Sequence, residues 1–121
     1  MKLELKKKIV LLTGAGKGIG KEILNILIKE KVTVYAVTRD SKDFNKIKKN
    51  NNTYLFEGDI SNQDTIDKIY TESKKNNHIF NCLVNNAGIR QRKKFSQITN
   101  KDLKEVFENN FFSIFEISKK F

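Results

Sequence analysis

Two kinds of apolar pattern alternate along the chain. Short continuous apolar runs, which are typical of strands buried on both faces, predict strands at 9–13, 32–37, 53–56 and 79–84. Apolar residues that recur at every third or fourth position predict helices at 18–30, around Phe44 and Ile47, after Ser61 and after Thr99. The predicted inner side of the last helix carries Leu103, Val106, Phe107, Asn110, Ile114 and Ile117.

The alternation of strand and helix determines the fold class. Strands joined by connections of helix length pair in parallel, and their crossovers are right-handed. The sequence therefore predicts an α/β fold with a doubly wound parallel sheet of about four strands and four helices. Because the 121 residues contain no internal repeat and no linker-like stretch, we expect one domain that covers residues 1–121.

Composition and charge indicate the cellular setting more than the function. The single Cys82 and the single His78 argue against a disulfide framework and a metal-ligand cluster, so we expect no metal and a reducing, cytoplasmic location. No apolar run approaches the roughly 20 residues that span a bilayer, so we expect no membrane contact. The net charge of +10 raises nucleic-acid binding as an alternative, but lysines spread along the whole chain favour a solvated surface instead.

A glycine-rich segment, residues 13–20 (TGAGKGIG), stands where the first strand passes into the first helix. Backbone N–H groups and the positive end of the helix dipole at such a junction can bind a diphosphate. Gly14 permits the tight turn, Gly18 lets phosphates approach the backbone, and Gly20 lets the helix pack closely on the sheet. The phosphate loop of nucleoside triphosphatases is excluded, because five residues separate Gly14 from Gly20 where that motif has four.

Three further segments follow the other predicted strands, at the edge where doubly wound sheets bind ligands. After the second strand, Arg39 favours the 2′-phosphate of NADP(H), whereas Asp40 leaves NAD(H) open as the alternative. After the third strand, Asp59 can accept a hydrogen bond from adenine or serve only as a turn residue. After the fourth strand, Asn86 can brace neighbouring strands, and the small pair Ala87–Gly88 leaves room for a ribose.

Asn110 is a polar residue on the predicted apolar side of the last helix. A buried amide without partners costs on the order of a few kcal/mol, so we expect Asn110 to be either hydrogen-bonded or functional. Asn109 is the neighbouring alternative, but helical geometry places it on a different face.

Together these motifs resemble those of the short-chain dehydrogenase/reductase family. Residues 13–20 match the family's T-G-x-x-x-G-x-G, in a form similar to that of its NADP-using members, and residues 85–88 match its N-N-A-G. The resemblance implies a Rossmann-type fold, NADP(H) as preferred cofactor, and hydride transfer between nicotinamide and a carbonyl or alcohol carbon. It assigns to Asn110 the role of the active-site asparagine that bends its helix and holds a water, although Ser113 replaces the family's usual glycine. The cofactor-binding positions that it implies are Gly14, Gly16, Lys17, Gly18, Ile19, Gly20, Arg39, Asp59, Ile60, Asn86, Ala87 and Gly88.

The resemblance covers the whole chain but only the first half of the family pattern. The family's catalytic Tyr-x-x-x-Lys would fall after Phe121, and Tyr70 with Lys74 has the spacing but comes too early and on a solvated helix. We therefore expect a fragment that contacts the cofactor without turnover and a parent protein that is an active reductase. The substrate class stays open between 3-oxoacyl groups on a carrier protein and sugar acids or polyols, since residues 86–92 resemble sugar-acid dehydrogenases of the family.

The composition of the last helix also favours contact with a partner subunit. Five of the nine phenylalanines fall in residues 107–121, so we expect this helix to be buried on more than one side. The resemblance implies a partner subunit there and hence a homodimer or homotetramer. Two other functions are alternatives: a non-catalytic module that senses NAD(P), and a receiver-like signalling domain. The second is disfavoured, because this sequence has no clustered acids after the first strand to hold Mg²⁺.

Overall fold

The computed structural model describes residues 7–88 and 93–121. Four strands and four α-helices carry the fold, with short helical turns between them. The strands are β1 (Ile9–Thr13), β2 (Thr33–Thr38), β3 (Thr53–Glu57) and β4 (Cys82–Val84). The helices are α1 (Gly18–Lys29), α2 (Gln63–Lys75), α3 (Asn100–Phe107) and α4 (Ser113–Lys120). Two 3₁₀ helices cover Ser41–Phe44 and Phe95–Gln97, and a π-helix covers Glu108–Phe112.

The sheet is parallel, with the strand order β3-β2-β1-β4. The chain builds outward from β1 to β2 and β3, and then returns to place β4 on the other side of β1. The connections that leave β1 and β4 therefore diverge at the carboxyl edge of the sheet, which creates the crevice where such folds bind ligands. The predicted doubly wound α/β fold is confirmed.

Helices cover both faces of this sheet, and each face has its own apolar core. On one face, α1 buries Leu24 and Leu27 against the central strands. On the other, α2 and α4 bury Ile66, Ile69 and Ile117 against the same strands. Because β1 and β2 are covered on both sides, their residues are almost all buried, as the continuous apolar runs predicted.

The boundaries of three elements differ from the expectation. The short helix predicted around Phe44 and Ile47 is a 3₁₀ turn that ends at Phe44, because this segment has only two apolar residues to bury. Asn62, rather than Ser61, caps α2, since its side chain accepts from the N–H of Asp64 at 3.0 Å. Strand β4 begins only at Cys82, directly after Asn81, which is hydrogen-bonded to Ile9 at the start of β1.

The last predicted helix is correct in its start but not in its regularity. Thr99 caps it with a complete capping box, in which Asp102 bonds back to the Thr99 N–H at 3.0 Å. The π turn Glu108–Phe112 then inserts an extra residue into the helical repeat and shifts the inward face by one position. As a result, Asn109 is buried, whereas Leu103, Phe107 and Asn110 of the predicted inner side are exposed. Ile117, after the π turn, is fully buried as predicted.

In the single chain, one side of this helix packs on the sheet, and four of its phenylalanines lie on the exposed side, so burial on a second side stays a prediction. Phe107, Phe111, Phe112 and Phe115 are each about half exposed. These four side chains form the exposed apolar surface of α3, the π turn and α4, in which the rings of Phe111 and Phe112 contact each other. In the described parts of the chain, no helix combines the length and the hydropathy that crossing a membrane requires.

Candidate functional site

The glycine turn after β1 is held in a conformation that side chains would prevent. Gly14 and Gly18 both have a positive φ, +63° and +55°. A Cβ on Gly14 would lie 2.8 Å from the backbone of Ala87, so the turn and the loop after β4 approach each other more closely than any larger residue allows. The glycines thus bring two backbone segments together at the carboxyl edge of the sheet.

Gly20, in the first turn of α1, plays a different role. A Cβ there would overlap the carbonyl oxygen of Gly14 and lie 2.5 Å from the amide nitrogen of the Asn86 side chain. The helix therefore packs directly on the turn that precedes it. This agrees with the close helix packing expected of Gly20 and leaves the N-terminus of α1 pointing at the crevice.

Two side chains tie the loop after β4 to the end of β1. The Thr13 hydroxyl accepts hydrogen bonds from the N–H groups of Asn86 and Ala87, both at 3.0 Å. The Asn86 side chain in turn donates to the Gly14 carbonyl at 3.0 Å. Asn86 therefore braces two neighbouring strands as the sequence predicted, and Thr13 is a second anchor that sequence analysis did not single out.

A cavity of about 410 Å³ lies in the crevice between these loops. Seven of the predicted cofactor-binding residues line it, together with Asp40, the residue that left NAD(H) open, and four others. The predicted seven are Gly14, Gly16, Lys17, Arg39, Ile60, Ala87 and Gly88, and the other five are Val37, Thr38, Asp40, Asp43 and Gly58. The lining comes from the ends of the strands and the segments that follow them, so the cavity lies at the carboxyl edge of the sheet.

The other five predicted residues do not line the cavity: Gly18, Ile19, Gly20, Asn86 and Asp59. Gly18 and Ile19 lie exposed at the first turn of α1, next to the cavity mouth. Gly20 and Asn86 act beneath it, through the packing and the hydrogen bond described above.

One end of the cavity carries an acidic residue that the sequence did not reveal. The Thr38 hydroxyl donates to Asp43 at 3.1 Å, and the ammonium of Lys17 lies 3.9 Å from the other carboxylate oxygen. Asp40, beside them, caps the 3₁₀ turn by accepting from the N–H of Lys42 at 3.0 Å. The carboxylates at this end are therefore engaged by local donors, while the Lys17 side chain stays largely exposed at the rim.

Arg39 crosses from the tip of β2 to the opposite side of the cavity. Its guanidinium lies 3.8 Å from Asp59 after β3, and its Nη2 donates to the side-chain oxygen of Asn109 in the π turn. Asn109 is nearly fully buried and donates to the Glu105 carbonyl at 2.9 Å, so the position of the amide is defined by the helix. Three segments far apart in sequence thus meet at the Arg39 side chain.

Asp59 is ionised more readily than a free carboxyl. Partial burial alone would raise its pKa, but the N–H and the hydroxyl of Ser61, at 2.9 and 2.7 Å, and the charge of Arg39 lower the pKa below its usual value. Asp59 is therefore a carboxylate, and hence an acceptor, throughout the neutral range.

Asn110 is exposed, which differs from the predicted burial on the apolar side. The π turn accounts for the difference, because it turns Asn109 inward and carries Asn110 to the carboxyl edge of the sheet. A Cβ built on Gly88 would lie 3.1 Å from the side-chain oxygen of Asn110. The residue therefore reaches the rim of the cavity, next to the last residue of the Asn-Asn-Ala-Gly segment, and its helix is interrupted at that point.

Comparison with known proteins gives the same family from sequence and from structure. A family model described as short chain dehydrogenase matches residues 8–121. The 3-oxoacyl-[acyl-carrier-protein] reductase FabG of Buchnera aphidicola subsp. Schizaphis graminum is 32% identical over 121 residues, covering 97% of this chain and 49% of that protein. A short chain dehydrogenase from Leptospira borgpetersenii serovar Hardjo-bovis, solved with bound NAD+, superimposes with a TM-score of 0.86 at 26% identity, over 99% of this chain and 48% of that chain.

A further structure supports the fold alone. The short-chain dehydrogenase/reductase SDR:Glucose/ribitol dehydrogenase from Brucella melitensis superimposes with a TM-score of 0.89 at 22% identity, over 99% of this chain and 53% of that chain.

The chain therefore belongs to the short-chain dehydrogenase family, a family of oxidoreductases with a Rossmann-type sheet that binds NAD(P). It spans about half the length of the curated relatives that it matches. The predicted family membership is confirmed. The similarity of residues 86–92 to sugar-acid dehydrogenases falls partly on residues 89–92, which lie outside the described residues.

Proposed function

We propose that the cavity at the carboxyl edge binds the adenosine diphosphate part of NAD(P)(H), with the diphosphate on the glycine turn. The observation that carries this proposal is the junction of β1 and α1. Gly14, Gly16 and Lys17 line the cavity, and the N-terminus of α1 lies beside it. Backbone N–H groups at a helix start, without side chains in front of them, are a favourable site for a diphosphate.

The cations at the cavity support NADP(H) as the preferred cofactor, with NAD(H) accepted more weakly. Lys17 and Arg39 both line the cavity, and a 2′-phosphate would add charge that these side chains attract. Asp40, the acid that could instead favour a ribose hydroxyl, is engaged in capping the adjacent turn. Asp43 is shared between Thr38 and Lys17, which reduces its repulsion of a phosphate.

A titration of the 121-residue chain with NADPH and NADH tests this proposal. Quenching or enhancement of nicotinamide fluorescence reports binding, and we expect NADPH to bind more tightly than NADH. Replacement of Lys17 by alanine should weaken NADPH binding by up to about fivefold, since an exposed cation contributes up to about 1 kcal/mol. Lys29→Ala, at the far end of α1, is the matched control and should leave both affinities unchanged. The absence of binding by either nucleotide would contradict the proposal.

We further propose that the parent protein is a reductase of the 3-oxoacyl-carrier-protein type, as its FabG relative is named. NADPH supplies the hydride in such a reaction. Asn110 would act at the reacting end of the site, because it lies at the cavity rim beside Gly88, where its exposed amide can hold a water. The 121-residue chain alone should bind NADPH without oxidising it.

Absorbance at 340 nm with a 3-oxoacyl thioester, or with a sugar acid, tests the substrate class and the inactivity of the chain. A parent protein that oxidises NADPH with the thioester supports the reductase assignment. A parent that reduces NAD(P)+ only with a sugar acid would replace it by the alternative. Turnover by the 121-residue chain would contradict the proposed division of roles.

We also propose that the apolar surface of α3, the π turn and α4 contacts a second copy of the chain. Four phenylalanines on it are each about half exposed, a density that monomers rarely leave in water. Sedimentation of the wild type and of a Phe111→Glu, Phe115→Glu double variant tests this. A dimer or tetramer that the double variant dissociates supports the proposal, whereas a wild-type monomer would contradict it.

A further inference from the structure

The side chain of Arg39 lies where the proposed nucleotide needs a different partner. Asp59 is a carboxylate that can accept from the adenine amino group, and its Oδ1 lies 3.8 Å from the Arg39 guanidinium. Ser61 donates twice to Asp59 Oδ1, the same oxygen that lies nearest Arg39. Arg39 also lines the cavity, so a nucleotide that reaches Asp59 from the cavity enters the space of the arginine side chain and displaces it in part.

Asn109 makes that displacement more costly. Its side-chain oxygen accepts from Nη2 of Arg39, and its nitrogen is tied to the Glu105 carbonyl, so the acceptor cannot follow the arginine when it moves. Asn109 is nearly fully buried, and burial strengthens a hydrogen bond to a charged group. Together, Asp59 and Asn109 hold Arg39 from two sides.

We propose that Asn109 is a positioning residue that holds Arg39 across the adenine end of the cavity, and that nucleotide binding requires its release. This inference rests on the proposed cofactor site. The 2′-phosphate of NADPH offers the released guanidinium a new charged partner, whereas NADH offers none. The hold on Arg39 therefore opposes both nucleotides, and only NADPH compensates for it. NADH then binds more weakly for two reasons: Arg39 loses its contacts with Asp59 and Asn109 when NADH binds, and NADH has no 2′-phosphate to replace them.

Replacement of Arg39 should affect the two nucleotides differently. Arg39→Ala removes the side chain that must be displaced, so NADH should bind about threefold to tenfold more tightly, the range for partial loss of a charged hydrogen bond. The same variant removes the proposed partner of the 2′-phosphate, so its ratio of NADPH to NADH affinity should fall below that of the wild type.

Asn109→Leu tests the hydrogen bond between Asn109 and Arg39 separately from the other contacts of Arg39. Leucine has a similar volume, and the Glu105 carbonyl keeps the N–H of Glu108, so the change removes chiefly the acceptor of Arg39. Both NADPH and NADH should bind about threefold to tenfold more tightly. In the Arg39→Ala background, the same substitution should have no effect, because the arginine that it releases is absent. Asn100→Ala, which removes an exposed amide from the same helical segment, is the matched control and should change neither affinity.

Fluorescence titrations of the wild type and these four variants test the proposal, with circular dichroism to verify that each is folded. Tighter NADH binding by Arg39→Ala, together with a gain in Asn109→Leu that disappears in the double variant, supports it. Weaker NADPH binding by Asn109→Leu would show that the amide presents Arg39 to the phosphate, and would overturn the proposal. Should Asn109→Leu fail to fold, unchanged or weaker NADH binding by Arg39→Ala overturns it by itself. A wild type that binds NADPH but yields these negative results contradicts only this inference, whereas a wild type that binds neither nucleotide contradicts the proposed function as well.

Discussion

For Gly20→Ala, ordinary helix propensity predicts a gain in stability, whereas the packing in this structure predicts a loss. Glycine inside a helix is less favourable than alanine by about 1 kcal/mol, so replacing it normally stabilises a protein. Here the new Cβ would overlap the Gly14 carbonyl oxygen and lie 2.5 Å from the Asn86 side-chain nitrogen. Overpacking against backbone costs about 1–3 kcal/mol, and loss of the Asn86–Gly14 hydrogen bond adds about 1 kcal/mol. We expect a net loss of about 2 kcal/mol in the free energy of unfolding, after the gain in helix propensity is subtracted.

Urea denaturation followed by circular dichroism measures this change. Gly18→Ala is the matched control, because no atom lies within 4 Å of the position where its Cβ would be built. Its positive φ alone should cost about 1 kcal/mol, so Gly18→Ala should destabilise less than Gly20→Ala does. A Gly20→Ala protein that is as stable as the wild type, or more stable, would refute the reasoning about close packing between α1 and the turn.

Three further predictions concern groups around and behind the cavity. Thr13→Val removes an acceptor for two backbone N–H groups of the Asn86 loop, and should lower the free energy of unfolding by about 1–3 kcal/mol and weaken NADPH binding; unchanged values in both assays would contradict the anchoring role. Tyr35→Phe removes a buried hydroxyl that shares a 2.7 Å hydrogen bond with His78, and should lower the free energy of unfolding by about 1 kcal/mol in urea denaturation. A stability equal to that of the wild type would contradict a contribution from this bond. The folded-state pKa of Asp59 lies below its unfolded value, so its contribution to stability is present above about pH 4 and is lost as the pH falls through the folded pKa. Asp59→Asn should accordingly lose less stability between pH 5 and pH 3 than the wild type; an equal loss would contradict the assignment.

The parts of the site that follow from backbone geometry were accessible from the sequence. Gly14 has a positive φ and a neighbouring backbone 2.8 Å from its Cβ position, and both conditions leave glycine as the suitable residue. Asn86 braces the strands because it stands directly after a strand that pairs with β1. Local chemistry and the order of elements therefore sufficed to predict the turn, the sheet and most of the cavity lining.

The parts that depend on long-range contacts were not accessible in the same way. A regular helical repeat places Asn110 inward, but the π turn inserts one extra residue and turns Asn109 inward instead. The apolar periodicity of the sequence does not predict that π turn. The contact of Arg39 with Asn109 joins residues 70 positions apart, and Asp43 lines the cavity from within the 3₁₀ turn Ser41–Phe44. Such features arise when the elements pack, after local preferences have been satisfied.

The location of bound nucleotide is the most direct test of the account. A ¹H–¹⁵N spectrum of the 121-residue chain, which at 14.1 kDa is well suited to such measurements, should be recorded during titration with NADPH. We predict that the largest shifts fall on the backbone amides of Gly14, Gly16, Gly18 and Gly88. Shifts that concentrate on α3 and α4 instead, or a spectrum that NADPH leaves unchanged, would contradict the assignment of the glycine turn as the diphosphate site.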